Sequence, residues 1–558
     1  MTPDVRDIPV VGRLSRVRLG KLGAVGEVPA VLKELVETGI AHPVRPDKLA
    51  RMTLEFLRWG TSPAAAVAVM AIERPDALGL VDEIGELTFR DLDERSNGLA
   101  RALHEDGVEA GDGIAIMCRN HRWFVDATLA AAKLGASVLY MNTGFAAPQF
   151  KDVVEREEPS VLIYDEEFAE VLEPARKAGG RELRCFLGWQ EEGSENPPDR
   201  PIQELIASGD PSEPPAPDAD PRFVILTSGT TGTPKGAQRS APVSLAPVTA
   251  MLSRLGLRAR ETTMIAAPLF HSWGFAHLQM AQALGSTAVV RRRFDPEETL
   301  NAVESSRATT LAVVPIMLQR ILDLPEETLR RFDLSSLRVT AVSGAALPGD
   351  LATKWMDLFG DNVYNLYGST EVAYATIATP KDLREAPGTA GRPPRGSVVK
   401  IYDEEGSELS PGETGRIFVG NEFQFEGYTG GETKEEIDGL MASGDVGHFD
   451  DEGRLFIDGR DDEMIVSGGE NVFPREVEDL LSDHEAVAEA AVIGVDDEQF
   501  GQRLKAFVVK AEGKDISEDD VKTHVKSNLA NYKVPREVEF LESLPRNQTG
   551  KVLKKELA

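Results

Sequence analysis

The sequence predicts an α/β fold distributed over more than one domain. Helical and strand-like patterns alternate from Ser62 onward, as expected of packed α/β layers. The length of 558 residues exceeds the roughly 250 to 300 at which a single core stops growing. The apolar segment 223–227 is typical of a buried strand and runs directly into a glycine-rich loop. A hydrophobic content of 41% is enough for sizeable cores.

Charge and cysteine content exclude several classes of function. A formal net charge of -31 argues against nucleic-acid binding, because phosphate backbones are bound by basic surfaces. Cys118 and Cys185 are the only cysteines, too few for a disulfide framework or a thiolate zinc site. The N-terminus has no signal-peptide pattern, and no run of about 20 apolar residues occurs. We therefore expect a cytoplasmic protein.

Residues 1–61 form an extension that differs from the rest of the chain. Leu49, Met52, Phe56 and Trp59 follow one another at helical spacing, which predicts an amphipathic helix with a partly basic polar face. Packing of this helix onto the main domain is the favoured interpretation. Peripheral contact with a membrane surface is the alternative.

Further elements follow along the chain. The charge-free stretch 262–290 predicts a strand, a turn, a buried helix and a second strand inside a core. Several short strands are expected from 398 to 457, and helices are expected to start at Pro474 and at Ser517. These patterns predict a large domain over 62–461 and a small one over 462–558.

The segment 223–236, FVILTSGTTGTPKG, combines glycines, hydroxyl side chains and a lysine after a strand. Glycines allow close approach of the backbone to a ligand, and hydroxyl and N–H donors beside a lysine suit a polyphosphate. A Walker A loop is excluded, because Pro234 and Gly236 stand at positions where that pattern needs other residues. The candidate phosphate-binding residues are Thr227, Ser228, Gly229, Thr230, Thr231, Gly232 and Lys235.

This segment closely resembles the phosphate loop of the adenylate-forming enzymes, the superfamily of acyl-CoA synthetases, peptide-synthetase adenylation domains and firefly luciferase. A second segment, 365–371, has the family pattern Tyr-Gly-x-Thr-Glu. The resemblance implies that Tyr367 packs against adenine beside Gly368 and that Asn365 bonds the amino edge of the base. It further implies that Thr370 contacts the α-phosphate and that Glu371 is a Mg²⁺ ligand.

Three later segments also resemble family motifs. In 443–447 and 459–460, Asp445 and Arg460 match the ribose contacts, although Ala442 and Ser443 replace the aromatic residue and threonine of many relatives. Asp462 matches the hinge of a mobile C-terminal domain. Gly468 and Gly469 match a strand beside the pantetheine arm of CoA, or form a plain hairpin turn. Lys551, in the terminal motif 544–551, matches the lysine of the adenylation step.

The carboxylic-acid pocket has a weaker signature. Segments 268–275 and 343–346 resemble the family segments that border this pocket. The candidate pocket residues are His271, Trp273, Phe275, Val314, Pro315, Ser343, Gly344 and Ala345. His271 and His277 lie six apart with no third metal ligand nearby, so we expect buried, hydrogen-bonded histidines rather than zinc ligands.

Taken together, the motifs are similar to those of AMP-forming acyl-CoA synthetases, most like bacterial fatty-acyl-CoA ligases. The resemblance implies a large domain of two stacked α/β subdomains and a small β-barrel, followed by a small mobile α+β domain. It implies ATP, Mg²⁺ and CoA as cofactors and co-substrates, and a medium- or long-chain fatty acid as substrate. The alternatives are an aryl-CoA ligase, an enzyme that loads a carrier protein, a luciferase-like oxygenase, and a non-catalytic nucleotide sensor.

Overall fold

The three-dimensional structure is a computed structural model. It describes residues 28–178, 183–194, 197–217, 221–227, 235–239, 246–423, 425–429, 431, 433–463, 465–467, 470–497, 501–529, 533–547 and 550–557.

The described α-helices run from the N-terminal extension to the end of the chain. They are α1 (Val28–Glu37), α2 (Pro46–Trp59), α3 (Pro63–Glu73), α4 (Phe89–Glu105), α5 (Arg122–Leu134), α6 (Ala147–Glu157), α7 (Ala169–Ala178), α8 (Ile202–Ser208), α9 (Ala246–Arg254), α10 (Ser272–Ala283), α11 (Pro296–Ser306), α12 (Pro315–Leu322), α13 (Glu326–Leu329), α14 (Gly349–Phe359), α15 (Pro380–Glu385), α16 (Pro474–Ser482) and α17 (Glu518–Asn528). Short 3₁₀ helices cover Glu166–Phe168, Asp461–Glu463 and Lys554–Glu556.

The described strands are β1 (Leu78–Asp82), β2 (Gly85–Thr88), β3 (Gly113–Met117), β4 (Ser137–Tyr140), β5 (Val161–Tyr164), β6 (Arg184–Leu187), β7 (Arg200–Pro201), β8 (Phe223–Thr227), β9 (Lys235–Arg239), β10 (Thr262–Ile265), β11 (Thr287–Val290), β12 (Thr310–Val313), β13 (Val339–Val342), β14 (Val363–Tyr367), β15 (Thr376–Ala378), β16 (Val398–Tyr402), β17 (Gly415–Gly420), β18 (Gly427–Tyr428), β19 (Glu436–Ile437), β20 (Leu440–Phe449), β21 (Leu455–Arg460), β22 (Ile465–Ser467), β23 (Glu470–Val472), β24 (Val487–Asp497), β25 (Gly501–Lys510) and β26 (Glu537–Leu541).

Two large mixed sheets form the body of the molecule. One has the strand order β15-β14-β13-β12-β10-β11-β1-β2, and the other has the order β18-β9-β8-β4-β3-β5-β6-β7. Their central strands are parallel, and β5, β12 and β13 are buried along their whole length, which explains why these three are almost entirely apolar. Helices α4, α5 and α10 share one hydrophobic core with strands of both sheets, so the sheets stack with helices between them.

Two smaller sheets complete the fold. The first is antiparallel, with the order β16-β17-β20-β19 and β21 added beside β20. The second has the order β23-β22-β25-β24, with β26 parallel to β25, and it shares a separate core with α16 and α17. This last sheet begins at Ile465. The predicted α/β architecture, with a large N-terminal part and a smaller α+β unit, is confirmed, while the exact domain limits at 61/62 and 461/462 stay predictions.

Local signals in the sequence correspond to real elements. The stretch 262–290 contains β10, α10 and β11, as expected. Pro474 is the first residue of α16, where its missing N–H costs nothing. Ser517 caps α17 and forms a capping box with Asp520. Among the described helices, none has both the length and the apolar composition needed to cross a lipid bilayer.

The extension departs from expectation in how its helix packs. Helix α2 forms as predicted, but of its apolar stripe only Trp59 is buried, with 3% of its surface exposed. Leu49 is 52% exposed and Phe56 is 40% exposed. Two of the four stripe residues are therefore not covered by the main domain. Helix α1 is anchored instead through Glu34, which accepts hydrogen bonds from Thr249 at 2.7 Å and Arg395 at 2.6 Å.

Candidate active site

One cavity of about 1810 Å³ runs between the large sheets and the C-terminal unit. Its wall brings together residues from sequence motifs that lie far apart in the chain. These are Asn365, Tyr367, Gly368, Thr370, Glu371, Asp445, Arg460 and Lys551. Strand β14 delivers the first of these motifs, because it ends at Tyr367 and the segment that follows turns along the cavity.

Tyr367 and Asp445 meet in this wall. The Tyr367 hydroxyl donates a hydrogen bond to Oδ2 of Asp445 at 2.6 Å. Arg460 lies directly across from Asp445 in the β20/β21 ladder, with its Nη1 3.6 Å from Oδ1. The backbone N–H of Asp445 donates to the Ser443 hydroxyl at 3.1 Å. Ser443, which replaces the threonine of many relatives, therefore still supplies an oxygen that orients the aspartate.

The pKa of Asp445 is influenced by charged residues of the C-terminal unit. Burial raises the pKa of Asp445 above its usual value, and the Arg460 guanidinium, the Tyr367 hydrogen bond, Lys551 and Arg475 all act in the opposite direction. Burial and the neighbouring carboxylate raise the pKa of Tyr367 well above its usual range, so the phenol stays a hydrogen-bond donor. The cations of the C-terminal unit thus act on the same carboxylate as Arg460.

Glu371 is held by neutral hydroxyl groups. Tyr428 donates to its Oε1 at 2.7 Å, and Ser369 donates to its Oε2 at 2.9 Å. Within the described part of the chain, no lysine or arginine forms an ion pair with this carboxylate. A partly buried carboxylate that is hydrogen-bonded by two neutral hydroxyl groups fits a Mg²⁺ ion bound together with phosphate oxygens. Glu371 is therefore suited to the metal role implied by its motif.

The predicted phosphate loop is only partly described. Thr227 ends β8 and Lys235 begins β9, and their backbones pair across this antiparallel ladder. The five remaining candidates lie outside the described residues, and they are Ser228, Gly229, Thr230, Thr231 and Gly232. Strand β9 also pairs with β18, which carries Tyr428. The phosphate strand and the partner of Glu371 thus belong to one sheet edge.

The acid-pocket candidates line the same cavity with one exception. His271, Trp273, Phe275, Val314, Ser343, Gly344 and Ala345 all contribute to the wall. Pro315 instead is the buried first residue of α12 and is not among the described wall residues. Trp273 is fixed by a hydrogen bond from its indole N–H to the Val313 carbonyl at 3.0 Å. Gly344 has a φ of 93°, a conformation that favours glycine.

The two histidines are uncharged. Burial lowers the pKa of His271 to about 4 and that of His277 to about 3. Within the described residues, Nε2 of each ring has no hydrogen-bond partner. The prediction that both histidines are hydrogen-bonded is therefore wrong for these two atoms. The cluster of possible metal ligands found in the described chain lies elsewhere, at Cys118, His121 and Asp165. The expectation that the two histidines are not zinc ligands stays a prediction.

Lys551 reaches the cavity on a tight terminal turn. Its backbone N–H donates to Oδ1 of Asn547 at 2.9 Å, and Gly550 has a φ of 80°. A Cβ atom at Gly550 would lie 2.1 Å from Cγ2 of Ile316 in the large domain. The turn therefore rests directly on α12. Asp462 lies in the 3₁₀ helix Asp461–Glu463, whereas Gly468 and Gly469 fall outside the described residues.

Comparison with known families gives the site its context. The model of the family described as "AMP-binding enzyme" matches residues 68–429, and the model of the AMP-binding enzyme C-terminal domain matches residues 476–551. The chain belongs to the AMP-binding enzyme family. The two matches cover the segments 223–236, 365–371 and 544–551, whereas Asp445, Arg460 and Asp462 lie between the matched ranges.

Individual relatives of this AMP-binding enzyme act on different acids. A feruloyl-CoA synthase from Amycolatopsis sp is 35% identical over 84% of this chain and 93% of its own. A fatty acid–[acyl-carrier-protein] ligase from Streptomyces coeruleorubidus is 30% identical over 87% of this chain and 94% of its own. The solved structure of the o-succinylbenzoate CoA synthetase from Bacillus subtilis, in complex with its acyl-adenylate, has a TM-score of 0.76 and 28% identity, covering 88% of this chain and 97% of that one.

These relationships support an AMP-forming acyl-CoA synthetase that uses ATP, Mg²⁺ and CoA. They do not single out fatty acids, because aromatic acids appear among the names of the relatives.

Sequence reasoning missed several wall residues of this AMP-binding enzyme. Tyr428 carries no motif, and only the pairing of a two-residue strand brings it to Glu371. Arg475 lies one residue after the start of α16, and only the packing of the C-terminal unit brings its charge near Asp445. Met52 and Phe56 were singled out as a helical stripe, but nothing in their spacing indicated that they line the cavity.

Proposed function

We propose that the protein ligates a medium- or long-chain fatty acid to CoA through an acyl-adenylate, releasing AMP and pyrophosphate. One observation carries this proposal: Lys551, Asp445 and Glu371 line the same cavity as the apolar wall formed by Trp273 and Phe275. A polar end suited to a nucleotide thus continues into an end suited to an apolar tail.

In the first half-reaction, a carboxylate oxygen attacks the α-phosphorus of ATP and the bond to pyrophosphate breaks. The Lys551 ammonium opposes the negative charge that builds up at the α-phosphate, while Thr370 contacts the same group. Lys235 and its loop hold the leaving phosphates. Mg²⁺, held by Glu371, would neutralise phosphate charge when bound. Asp445 and Arg460 position the ribose, so alignment and electrostatics supply most of the rate enhancement.

In the second half-reaction, the CoA thiol attacks the acyl carbon and AMP leaves. This step requires Lys551 to withdraw, because it occupies the cavity beside Asp445 in the present arrangement. We place the pivot at Asp462, with the pantetheine arm passing Gly468 and Gly469. Large rotations of this kind need only a few residues that absorb changes in φ and ψ.

Acid-dependent exchange of pyrophosphate into ATP tests the first half-reaction, and AMP release with CoA tests the whole reaction. The panel comprises short, medium and long fatty acids together with benzoate and ferulate. We expect exchange with fatty acids and acyl-CoA formation from free CoA. If no acid supports exchange, the proposal fails and a non-catalytic nucleotide sensor becomes the better interpretation.

Two alternatives have specific support. The feruloyl-CoA synthase relative favours an aryl-CoA ligase, which the panel would reveal as a preference for ferulate over fatty acids. The fatty acid–[acyl-carrier-protein] ligase relative favours a protein-bound acceptor. Transfer to a phosphopantetheinylated carrier protein, with none to free CoA, would identify that case. A cytoplasmic location and peripheral membrane contact both stay predictions.

A further inference from the structure

The cavity continues well past the acid-pocket candidates along helix α10. Trp273, Ala276, Gln279 and Ala283 of this helix all line it. Ten residues separate the first from the last, which at 1.5 Å per residue corresponds to about 15 Å of helix. This path is longer than a single aromatic ring requires.

Helices of the N-terminal region also line this cavity, and α3 packs directly against α10. Helix α3 contributes Ala66, Val69 and Met70 to the lining, and α2 contributes Met52 and Phe56. These side chains are apolar apart from the uncharged Gln279, and Glu73 at the end of α3 lines the cavity together with its hydrogen-bond partner His42. Both helices α2 and α3 therefore participate in the same cavity as Lys551.

The stripe on α2 is explained by this position. Phe56 and Leu49 keep 40% and 52% of their surface exposed, whereas Trp59 at the helix end is buried. Exposed clusters of large apolar side chains usually mark a binding surface. Both exposed residues line the cavity, so they form an open mouth at its far end.

We infer that helices α2 and α3 form the distal half of an acyl tunnel, in which the tail of a long-chain acid lies along α10 and ends at Met52, Phe56 and Leu49. This inference rests on the proposed function, and it names helices α2 and α3, on either side of the predicted limit of the extension at 61/62, as the elements that select tail length. Continuity with the reacting end of the cavity identifies the occupant as the substrate tail.

The test compares hexanoate, dodecanoate and hexadecanoate in pyrophosphate exchange. Each methylene buried in the tunnel is expected to raise kcat/KM by up to about fourfold. Ala66→Trp narrows the tunnel, so kcat/KM for hexadecanoate should fall at least about tenfold while that for hexanoate stays within about twofold. Unchanged activity with hexanoate shows that the variant is folded.

Two variants on α2 form a matched pair. Phe56→Ser removes an exposed phenyl that lines the cavity, whereas Leu54→Ser removes a side chain that is 57% exposed and lies outside it. Only the first should lower kcat/KM for hexadecanoate, by about tenfold. Equal effects of the two variants, or equal losses for hexanoate and hexadecanoate, would overturn the inference.

A binding measurement separates this inference from the proposed function. The fluorescent fatty acid cis-parinarate should bind the wild-type protein and should bind the Ala66→Trp variant more weakly. This difference does not depend on whether the protein catalyses the ligase reaction. Binding that is lost in this variant, without exchange for any acid, supports the tunnel and contradicts the ligase. Exchange with no dependence on tail length supports the ligase and contradicts the tunnel.

Sedimentation with phosphatidylglycerol vesicles tests the rival occupant, a membrane surface. If Phe56→Ser weakens vesicle binding more than Leu54→Ser does and leaves the preference for tail length intact, the mouth faces a bilayer and the inference is wrong.

Discussion

At the residue scale, Lys551 separates the two half-reactions. Its ammonium is expected to act on the α-phosphate alone, so Lys551→Ala should lower pyrophosphate exchange by about 10²-fold or more. Thioesterification of supplied acyl-adenylate should largely survive. Rapid-quench measurement of each half-reaction checks this, with Lys514→Ala, a surface substitution in the same unit, as the control. Equal loss of both half-reactions would contradict the assignment.

Tyr428 is expected to tune metal affinity. Tyr428→Phe removes the hydroxyl that donates to Glu371, so the carboxylate is less firmly oriented. The Mg²⁺ concentration for half-maximal exchange should rise by about tenfold, in line with a hydrogen bond to a charged group. Tyr402→Phe provides the control, because that hydroxyl bonds Asp438, which is not a described wall residue. An unchanged Mg²⁺ titration for Tyr428→Phe would disprove the role.

His277 makes stability depend on pH. The folded protein keeps this ring neutral down to a pKa of about 3, while an unfolded histidine takes up a proton near pH 6.5. Between these values the unfolded state binds more protons, so the free energy of unfolding falls as the pH is lowered, by at most about 1.4 kcal/mol per pH unit.

The variant His277→Leu should lose less thermal stability than the wild type between pH 7 and pH 5. Differential scanning calorimetry at several pH values measures this, with the exposed His104→Gln as control. If the melting temperature falls with pH equally steeply in the wild type and in His277→Leu, the His277 ring is not the source of the pH dependence.

At the scale of elements, the terminal turn packs closely against α12 because Gly550 has no side chain. Gly550→Ala would place a methyl group against Ile316, so the turn could not close as observed. Adenylation should fall while thioesterification persists. Ile316→Ala in the same chain should restore part of the lost activity, since it removes the overlapping atoms. Failure of this rescue would mean that backbone strain at a φ of 80° dominates.

The 3₁₀ helix Asp461–Glu463 is the predicted pivot. Its conformation suits the φ of proline, near −65°. Asp462→Pro should therefore preserve adenylation and impair thioesterification, the reverse of Lys551→Ala, whereas Asp462→Ala should leave both steps active. Single-turnover assays of the two steps provide the measurement. Normal CoA transfer in Asp462→Pro would move the pivot elsewhere.

Elements with local signals were predictable from sequence. Strand β8, the β10–α10–β11 unit, the proline start of α16 and the cap of α17 each depend on a few neighbouring residues. The surroundings of the apolar stripe on α2 were not predictable in the same way. An apolar stripe at helical spacing predicts a helix, but the stripe borders a cavity that α10 also lines, and α10 begins about two hundred residues further along the chain.

At the scale of the whole molecule, the motifs predicted which residues gather along one part of the cavity wall, because their order along the chain is a property of the family. Tyr367, Asp445 and Arg460 do meet. The partners without motifs, Tyr428 and Arg475, depend on how separate sheets and units are packed. The dimensions of the acid pocket depend on that packing as well, which is why tail length could not be deduced from the sequence.

The exposed end of α2 has a kinetic consequence. If the fatty acid enters past Leu49 and Phe56 while ATP enters between the large domain and the C-terminal unit, neither substrate blocks the route of the other. Initial-rate patterns for the adenylation step should then show random rather than compulsory order. The product leaves by a different route. The bulky nucleotide of acyl-CoA stays outside the tunnel, so the acyl tail must withdraw past Lys551 and not past Leu49 and Phe56, where the fatty acid entered.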